Sequence, residues 1–331
     1  CWSVRLVEVR HDPAAWVRHG QGEDAVTESV TRRRYVVEPA RNLLDVDELV
    51  AGIGKKRPKV PEPVDDGWAY VHCISDWQLG KTAYGLGSDT AVQRILDALD
   101  KSLARFKVEN KRRPVDTIVI AGLGDLCEGI TSQKGAVALA SDLGVTEQLR
   151  VIRRLLLEHV KAFAPLAPRV VLTSVPGNHD EPHRLLGSHP RADDSFAVDA
   201  AVQVADALAL AGGFDHVETV LPDIDDLTIT IEAAGTIIGM AHGHQFRTGK
   251  AQEWWAKMGH AKHRIGQADL LLTGHYHHLR AHEESGRLWL QAPTVDPGSP
   301  WFDQKHGGAP GPGGVVTLLT REGKWTGLEI L

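Results

Sequence analysis

Cysteine is scarce in this sequence: only Cys1, Cys73 and Cys127 occur among 331 residues. The count is odd, the spacing is wide and no CxxC is present, which argues against a disulfide framework and fits a reducing compartment. Long apolar runs are missing as well. No stretch reaches the ~20 residues that a membrane-spanning helix needs, and nothing at the start reads as a signal peptide. The expectation is a cytoplasmic chain with no membrane association. An excess of positive charge is also absent, since the formal net charge is -6. No overall basic field therefore advertises a nucleic-acid partner. Three short basic runs, Arg32-Arg33-Arg34, Lys55-Lys56-Arg57-Pro58-Lys59 and Lys111-Arg112-Arg113, read as solvated faces or linkers. The first residue is Cys rather than Met, which reads as a fragment or a processed end.

Histidine is what the sequence has in plenty. Eight of its 17 histidines fall between His242 and His282. Such clustering needs a reason, because imidazole is the commonest protein metal ligand. Hydrophobic residues make up 42% of the chain, enough for a sizeable core in one large domain or two.

Residues 1–66 read as a β-rich, incomplete N-terminal segment followed by a linker. WSVRLVEV and RRRYVVEP alternate like strands, LLDVDELVAG suggests a short helix, and KKRPKVPEPVDDG is rich in proline and charge. From residue 67 to 331 a second, larger domain is expected. Apolar strand patterns at WAYVHCIS, DTIVIAGLG and RVVLTSVPG alternate with helical periodicity over 88–108, 146–164 and 193–211. LTITIEAAGTIIGMAHG reads as a hairpin turning at Ala233-Ala234-Gly235. A helix with two tryptophans covers 249–264, ADLLLTGHYHH is a further strand, and RLWLQAPTV, GGVVTLLT and KWTGLEIL close the chain. Strands alternating with helices, then strands alone, imply a layered α/β architecture.

Each strand ends in polar residues flanked by glycine. The blocks are Ser75-Asp76-Trp77-Gln78, Gly124-Asp125-Leu126-Cys127-Glu128, Gly177-Asn178-His179-Asp180, Ala241-His242-Gly243-His244 and Gly274-His275-Tyr276-His277. Carboxyl ends of strands in open α/β sheets line one crevice, so Asp76, Gln78, Asp125, Asn178, His242, His275 and His277 are candidates to converge on metal. Singly, each block has an ordinary reading: a turn, a strand end or an Asx turn. Five in this order, each behind an apolar strand, point to a site. Mixed oxygen and nitrogen donors suit Mn, Fe, Zn or Ni better than Ca or Mg. Seven donors exceed one ion and fit two, if a carboxylate bridges.

These blocks resemble the pattern of the calcineurin-like metallophosphoesterase superfamily, D-x-H, GDxxD, GNHD or GNHE, a lone His, and GHxH, over residues 68 to about 296. The resemblance implies an α/β four-layer sandwich, two packed mixed β-sheets flanked by helices. It implies hydrolysis of phosphate esters with two divalent ions, Mn2+ favoured over Fe, Zn, Ni or Mg, by attack of a metal-bridging hydroxide. It assigns Asp76, Gln78, Asp125 and His277 to the first ion. Asp125 as bridge, Asn178, His242 and His275 go to the second. His179 takes the place of the catalytic imidazole, and Asp180 that of the partner which fixes its tautomer. Two departures stand out. Gln78 replaces a histidine, which implies a weaker first site, and Glu128 replaces the second aspartate of its block.

The opening SDWQLG is similar to that of the family's DNA-repair nucleases, so the expected substrate is a phosphodiester, with DNA or RNA as candidates. Arg184, His244 and Trp301 are candidate substrate contacts. Two rivals remain at this stage. A phosphomonoesterase or protein phosphatase would usually carry an arginine directly beside the GNHE block, whereas Arg184 lies four residues after Asp180. A non-catalytic scaffold of the same fold is raised by Gln78 and opposed by the six other ligands and His179. The sequence names no protein partner.

Overall fold

The computed structural model describes residues 4–11, 15–19, 26–30, 33–39, 46–55, 57–185, 188–300, 304 and 314–331. The chain divides into two compact units, Cys1–Asp45 and Val46–Leu331. In the first, β1 (Val4–His11) pairs antiparallel with β4 (Arg33–Pro39), and β2 (Ala15–His19) with β3 (Val26–Val30).

The division falls at Asp45–Val46 and not at residue 66. Helix α1 (Val46–Ile53) packs on the large unit and buries Leu49 and Ile53 in its core. The Pro-rich segment after it is tied down too. Arg57 donates to the carbonyls of Gly54 and Ala211, and the Val64 N–H donates to the Asp116 carboxylate at 3.1 Å. Local pattern shows that α1 has an apolar side but not what that side meets.

The large unit holds two mixed sheets. The six-stranded one runs β15-β14-β5-β6-β7-β8, built from β5 (Trp68–Ile74), β6 (Val115–Gly122), β7 (Arg169–Ser174), β8 (Val217–Val220), β14 (Val316–Arg321) and β15 (Lys324–Ile330). The five-stranded one runs β12-β13-β11-β10-β9, from β9 (Thr228–Ala233), β10 (Thr236–Ala241), β11 (Leu270–Thr273), β12 (Arg280–Glu284) and β13 (Arg287–Gln291). Strands β5 to β8 are mutually parallel. A parallel strand covered on both faces reads as a continuous apolar run, and β5 does. Its alternate residues Ala69, Val71 and Cys73 meet Ile238, Met240, Leu270 and Leu290 of the second sheet. The opposite set, Tyr70 and Ile74, meets the helices α2 (Ser88–Arg112), α4 (Val145–Phe163) and α5 (Phe196–Ala211). On the outer face of the second sheet, α6 (Ala251–His260) and a 3-10 turn at Arg264–Gln267 cover Leu271 and Trp289. The order is helices, sheet, sheet, helix: the four-layer sandwich expected.

Of the adjacent tryptophans, Trp255 is the core residue; its indole donates to the Ile265 carbonyl at 2.8 Å and Arg287 stacks over it. A very short helix α3 (Val137–Ala140) and strands β8 and β12 had no signal strong enough to be read from sequence. The basic run 111–113 ends α2, where cations suit the helix dipole, and Arg113 pairs with the buried Glu109. Cys73 and Cys127 are free and buried. Among the described residues no helix is long and apolar enough to cross a membrane.

Two histidines lie inside this core, apart from the clustered ones. His72 and His159 face each other with ring centroids 5.3 Å apart. Burial pushes His159 down to about 4 and His72 well below its ordinary value. Between pH 6.5 and 4 the unfolded chain takes up a proton that the folded His159 refuses, so stability falls as pH falls through that window. The expected loss at His159 is on the order of 3 kcal/mol. Urea midpoints measured from pH 7 to 4 should drop steeply in the wild type and less in His159→Leu. Parallel slopes would clear His159.

Candidate metal centre

Five loops leave the carboxyl ends of β5, β6, β7, β10 and β11 and are knitted together by their backbones. The Asp76 N–H donates to Gly124 O at 3.0 Å, Gln78 N–H to Asp125 O at 3.0 Å, and Gly274 N–H to His242 O at 2.8 Å. Five of the expected ligands sit in the left-handed region: Asp76 (φ 50°), Gln78 (40°), Asp125 (53°), His275 (73°) and His277 (59°). Each such non-glycine residue costs ~1–3 kcal/mol and persists where its surroundings over-determine it, typically at a working site. Two glycines make room: a Cβ at Gly177 would overlap the Asp125 carboxylate, and one at Gly274 would overlap the Ser75 and Asp76 side chains.

The first cluster surrounds Asp125. His242 Nε2 is 3.0 Å from Asp125 Oδ2, His275 Nδ1 is 3.2 Å from His242 Nε2, and the His179 N–H donates to Asp125 Oδ1 at 2.7 Å. Asp125, His242 and His275 each offer a donor atom within 4.8 Å of the others. Burial alone would raise the Asp125 carboxyl, but His242 and then His179 hold it below the usual carboxylate range. Burial alone would lower His242, and Asp125 overrides it, lifting the imidazole to about 9. Burial and His242 push His275 down to about 4. The His242 Nδ1–H donates to Leu123 O at 2.7 Å, which orients Nε2 toward the cluster, the usual arrangement behind a ligating histidine. Asn178 Oδ1 is buried without a hydrogen-bond partner, and its neighbours Gly177 and His179 both touch Asp125. A carboxylate, two imidazoles and an unpaired amide oxygen suit a divalent transition ion.

The second cluster centres on Asp76. It accepts the His275 N–H at 3.0 Å, and His277 Nε2 lies 3.3 Å from its Oδ1. Burial would lower His277, but Asp76 and Asp296 lift it to about 10. The other His277 nitrogen lies 3.3 Å from Asp296 Oδ2. Gln78 is brought here as expected, with its Nε2 3.5 Å from His277 Nε2. Its carbonyl oxygen accepts from Lys81 Nζ at 2.6 Å, and Lys81 also pairs with Asp296. Sequence reasoning missed Lys81 and Asp296. The signal available was slight: a basic residue three after Gln78 and an acid in VDPGSP, neither in a recognisable block. This half fits an ion less well than the first, because Gln78 Oε1 is engaged.

The catalytic pair requires a correction. Asp180 does not touch the His179 ring. Its carboxylate accepts three backbone N–H groups, from Asp125 at 2.6 Å, Gly177 at 3.0 Å and Cys127 at 3.2 Å. Burial and the Asp125 charge push its carboxyl up to about 6. Asp180 thus holds the loop that carries Asp125. The His179 ring is fixed by Glu128: Nδ1 donates to the Glu128 carbonyl at 3.0 Å, with the Glu128 carboxylate at 3.5 Å. Chain proximity suggested the aspartate next door, but the Asp180 carboxylate is taken up by the backbone N–H groups of Asp125, Gly177 and Cys127.

The candidate substrate contacts fare differently. Arg184 is bound to Glu181 at 2.8 Å and to the Asn178 carbonyl, so its guanidinium is largely spent on the protein. His244 stands 5.4 Å from His242, ring to ring; burial and His242 push it down to about 3. It lines a cavity of about 380 Å³ together with Gly177, Ala192, Leu227 and Gln245. Trp301 lies outside the described residues.

The sequence model of the calcineurin-like phosphoesterases matches residues 70–279. No curated protein matches the sequence significantly. Among solved structures, the chain is similar to Vps29 of Entamoeba histolytica complexed with Zn2+, at 17% identity, covering 77% of this chain and 88% of that one, with TM-score 0.35. It is similar to vacuolar protein sorting 29 of Cryptosporidium parvum, at 17% identity, 80% and 98% coverage and TM-score 0.34. A third is an archaeal phosphodiesterase, at 14% identity, 79% and 99% coverage and TM-score 0.35.

Asp180→Asn should show which role Asp180 has. Backbone donors face both carboxylate oxygens, so the NH2 of an amide must stand against at least one of them, and metal affinity should fall ~10–100-fold and stability by about 1–3 kcal/mol. Unchanged metal titration and melting would show that the Asp180 carboxylate is not what holds the Asp125 loop.

Proposed function

The chain belongs to the calcineurin-like phosphoesterase family, and from that premise we propose that it is a metal-dependent phosphodiesterase acting on nucleic acid or nucleotides. The observation that carries this reading is the Asp125–His242–His275 cluster, together with the buried, unpaired side-chain oxygen of Asn178 in the loop whose His179 N–H donates to Asp125. Those four residues would hold a divalent ion, for which Mn2+ is favoured by the mixed donors. Such an ion supplies Lewis acidity, charge neutralisation of the phosphate and a nucleophilic water at neutral pH.

The protein's own part is positional. Asp180 and Gly177 fix Asp125, Leu123 fixes the His242 tautomer, and the His179 backbone joins the catalytic loop to the Asp125 carboxylate. With Nδ1–H held by the Glu128 carbonyl, His179 has Nε2 left to pass a proton to the leaving oxygen. The diester preference rests on the SDWQLG opening. Reducing, cytoplasmic surroundings are part of the same proposal, supported by buried free thiols, of which Cys73 is pushed up to about 12 by burial.

The test uses purified protein and two diesters. Chelation should abolish hydrolysis, Mn2+ should restore it, and Asp125→Asn should be inactive; full activity in strong chelator would overturn metal dependence. A sugar alkoxide is a poor leaving group and needs a proton, whereas p-nitrophenolate does not. His179→Ala should therefore lose ~10²–10⁴-fold on an oligonucleotide or dinucleotide and far less on bis(p-nitrophenyl) phosphate. Equal losses would leave His179 as a phosphate-positioning group. A preference for p-nitrophenyl phosphate would favour a phosphomonoesterase, and inactivity on every ester with metal bound would favour a scaffold.

A further inference from the structure

The family pattern calls for an ion at Asp76, position 78, Asp125 and His277, and the residues present at that half do not fit one as well as the other half does. Lysine can only donate hydrogen bonds. Its ammonium at 2.6 Å therefore settles which end of the Gln78 amide is oxygen and commits that oxygen to Lys81. The remaining end, an NH2 group, is the one that approaches His277 Nε2 at 3.5 Å. A donor cannot ligate a cation, so the end of Gln78 nearest His277 offers no ligand and presents a positive edge to that nitrogen.

Lys81 is placed there by more than one partner. Its side chain is 14% exposed and pairs with Asp296, which is 2% exposed. Asp296 is itself fixed: its N–H donates to Thr294 Oγ1 at 2.9 Å, and Arg94 holds its carbonyl at 2.9 Å. Asp76 and Asp296, both buried, lie against the two nitrogens of His277, and Asp296 is also paired with the Lys81 ammonium. At the Asp125 cluster, by contrast, an amide oxygen is left over.

We propose that this chain binds one divalent ion tightly, at Asp125, Asn178, His242 and His275, and that Lys81, backed by Asp296, withdraws Gln78 from the second ion's place and supplies positive charge there instead. The ammonium is then a fixed electrophile beside the ion, able to face a phosphate oxygen without a second metal. The inference departs from the family's usual two ions and rests on the metal-binding half of the proposed function alone.

The test reads stoichiometry without substrate, so a failure to hydrolyse diesters leaves it standing. Mn2+ is titrated by calorimetry into chelator-stripped protein, and retained metal is counted by mass spectrometry after dialysis. Wild type should retain one ion per chain, with any second ion at least ~10-fold weaker. Lys81→Met frees the Gln78 carbonyl and should tighten the second ion. Gln78→His with Lys81→Met should retain two. Lys81→Arg, which still donates to Gln78 and Asp296, should stay at one. Two ions of equal affinity in the wild type would overturn the proposal without any variant. So would a double variant that melts cooperatively and still retains one.

Discussion

A carboxylate buried where five strand ends meet is tolerated only if each oxygen finds a donor or a cation, because an isolated ion there would be costly to desolvate. Asp125, 1% exposed, is that carboxylate. Much of the architecture around it reads as the answer to its charge. His179 brings a backbone N–H to one oxygen, and His242 brings an imidazole to the other. Asp180 holds the Asp125 amide, which lets the loop keep a left-handed residue at its turn. Gly177 is glycine because Asp125 fills the space a side chain would take. The same demand makes the cluster a candidate site for a cation.

The two sheets matter because they deliver these groups from distant parts of the chain. Strands β5, β6 and β7 of one sheet carry Asp76, Asp125 and the Asn178–Asp180 turn. Strands β10 and β11 of the other carry His242, His275 and His277. Packing of Val71, Cys73 and Val119 against Met240, Leu270 and Leu272 between the sheets holds the two donor sets in register. The candidate oxygen donors come mainly from one sheet and the nitrogen donors from the other, so the mixed donor set follows from the layering. The largely apolar interface core therefore positions the site, and hydrogen bonds from Thr173 to Met240 and between Thr236 and Thr320 cross it as well.

The centre is electrostatically uneven. Around Asp125, imidazoles alternate between lifted and lowered affinities for protons, according to whether a carboxylate or another ring is nearest. Around Asp76, Lys81 and Asp296 add a complete ion pair to the arrangement. The two halves share a backbone, through the His275 N–H on Asp76, but differ in how far the protein neutralises itself.

The sequence by itself determined the sandwich and singled out the candidate ligands. Ligand positions are legible because each is short-range: an apolar strand, a glycine and a polar residue at its carboxyl end are all local, and their order is fixed by the chain. The five blocks and the alternating elements were thus readable, down to the hairpin turn at Ala234-Gly235. Tertiary structure decided what a side chain meets across space. Helix α1 joined the large unit because its apolar side found α4 and α5. Glu128 and not Asp180 took the His179 ring, because the Asp180 carboxylate is held by backbone N–H groups from the neighbouring loop. Lys81 reached Asp296, 215 residues away in sequence, because the strand ends from the two sheets converge there. No local pattern encodes such a pair, since the partner's distance is set by the packing of whole layers.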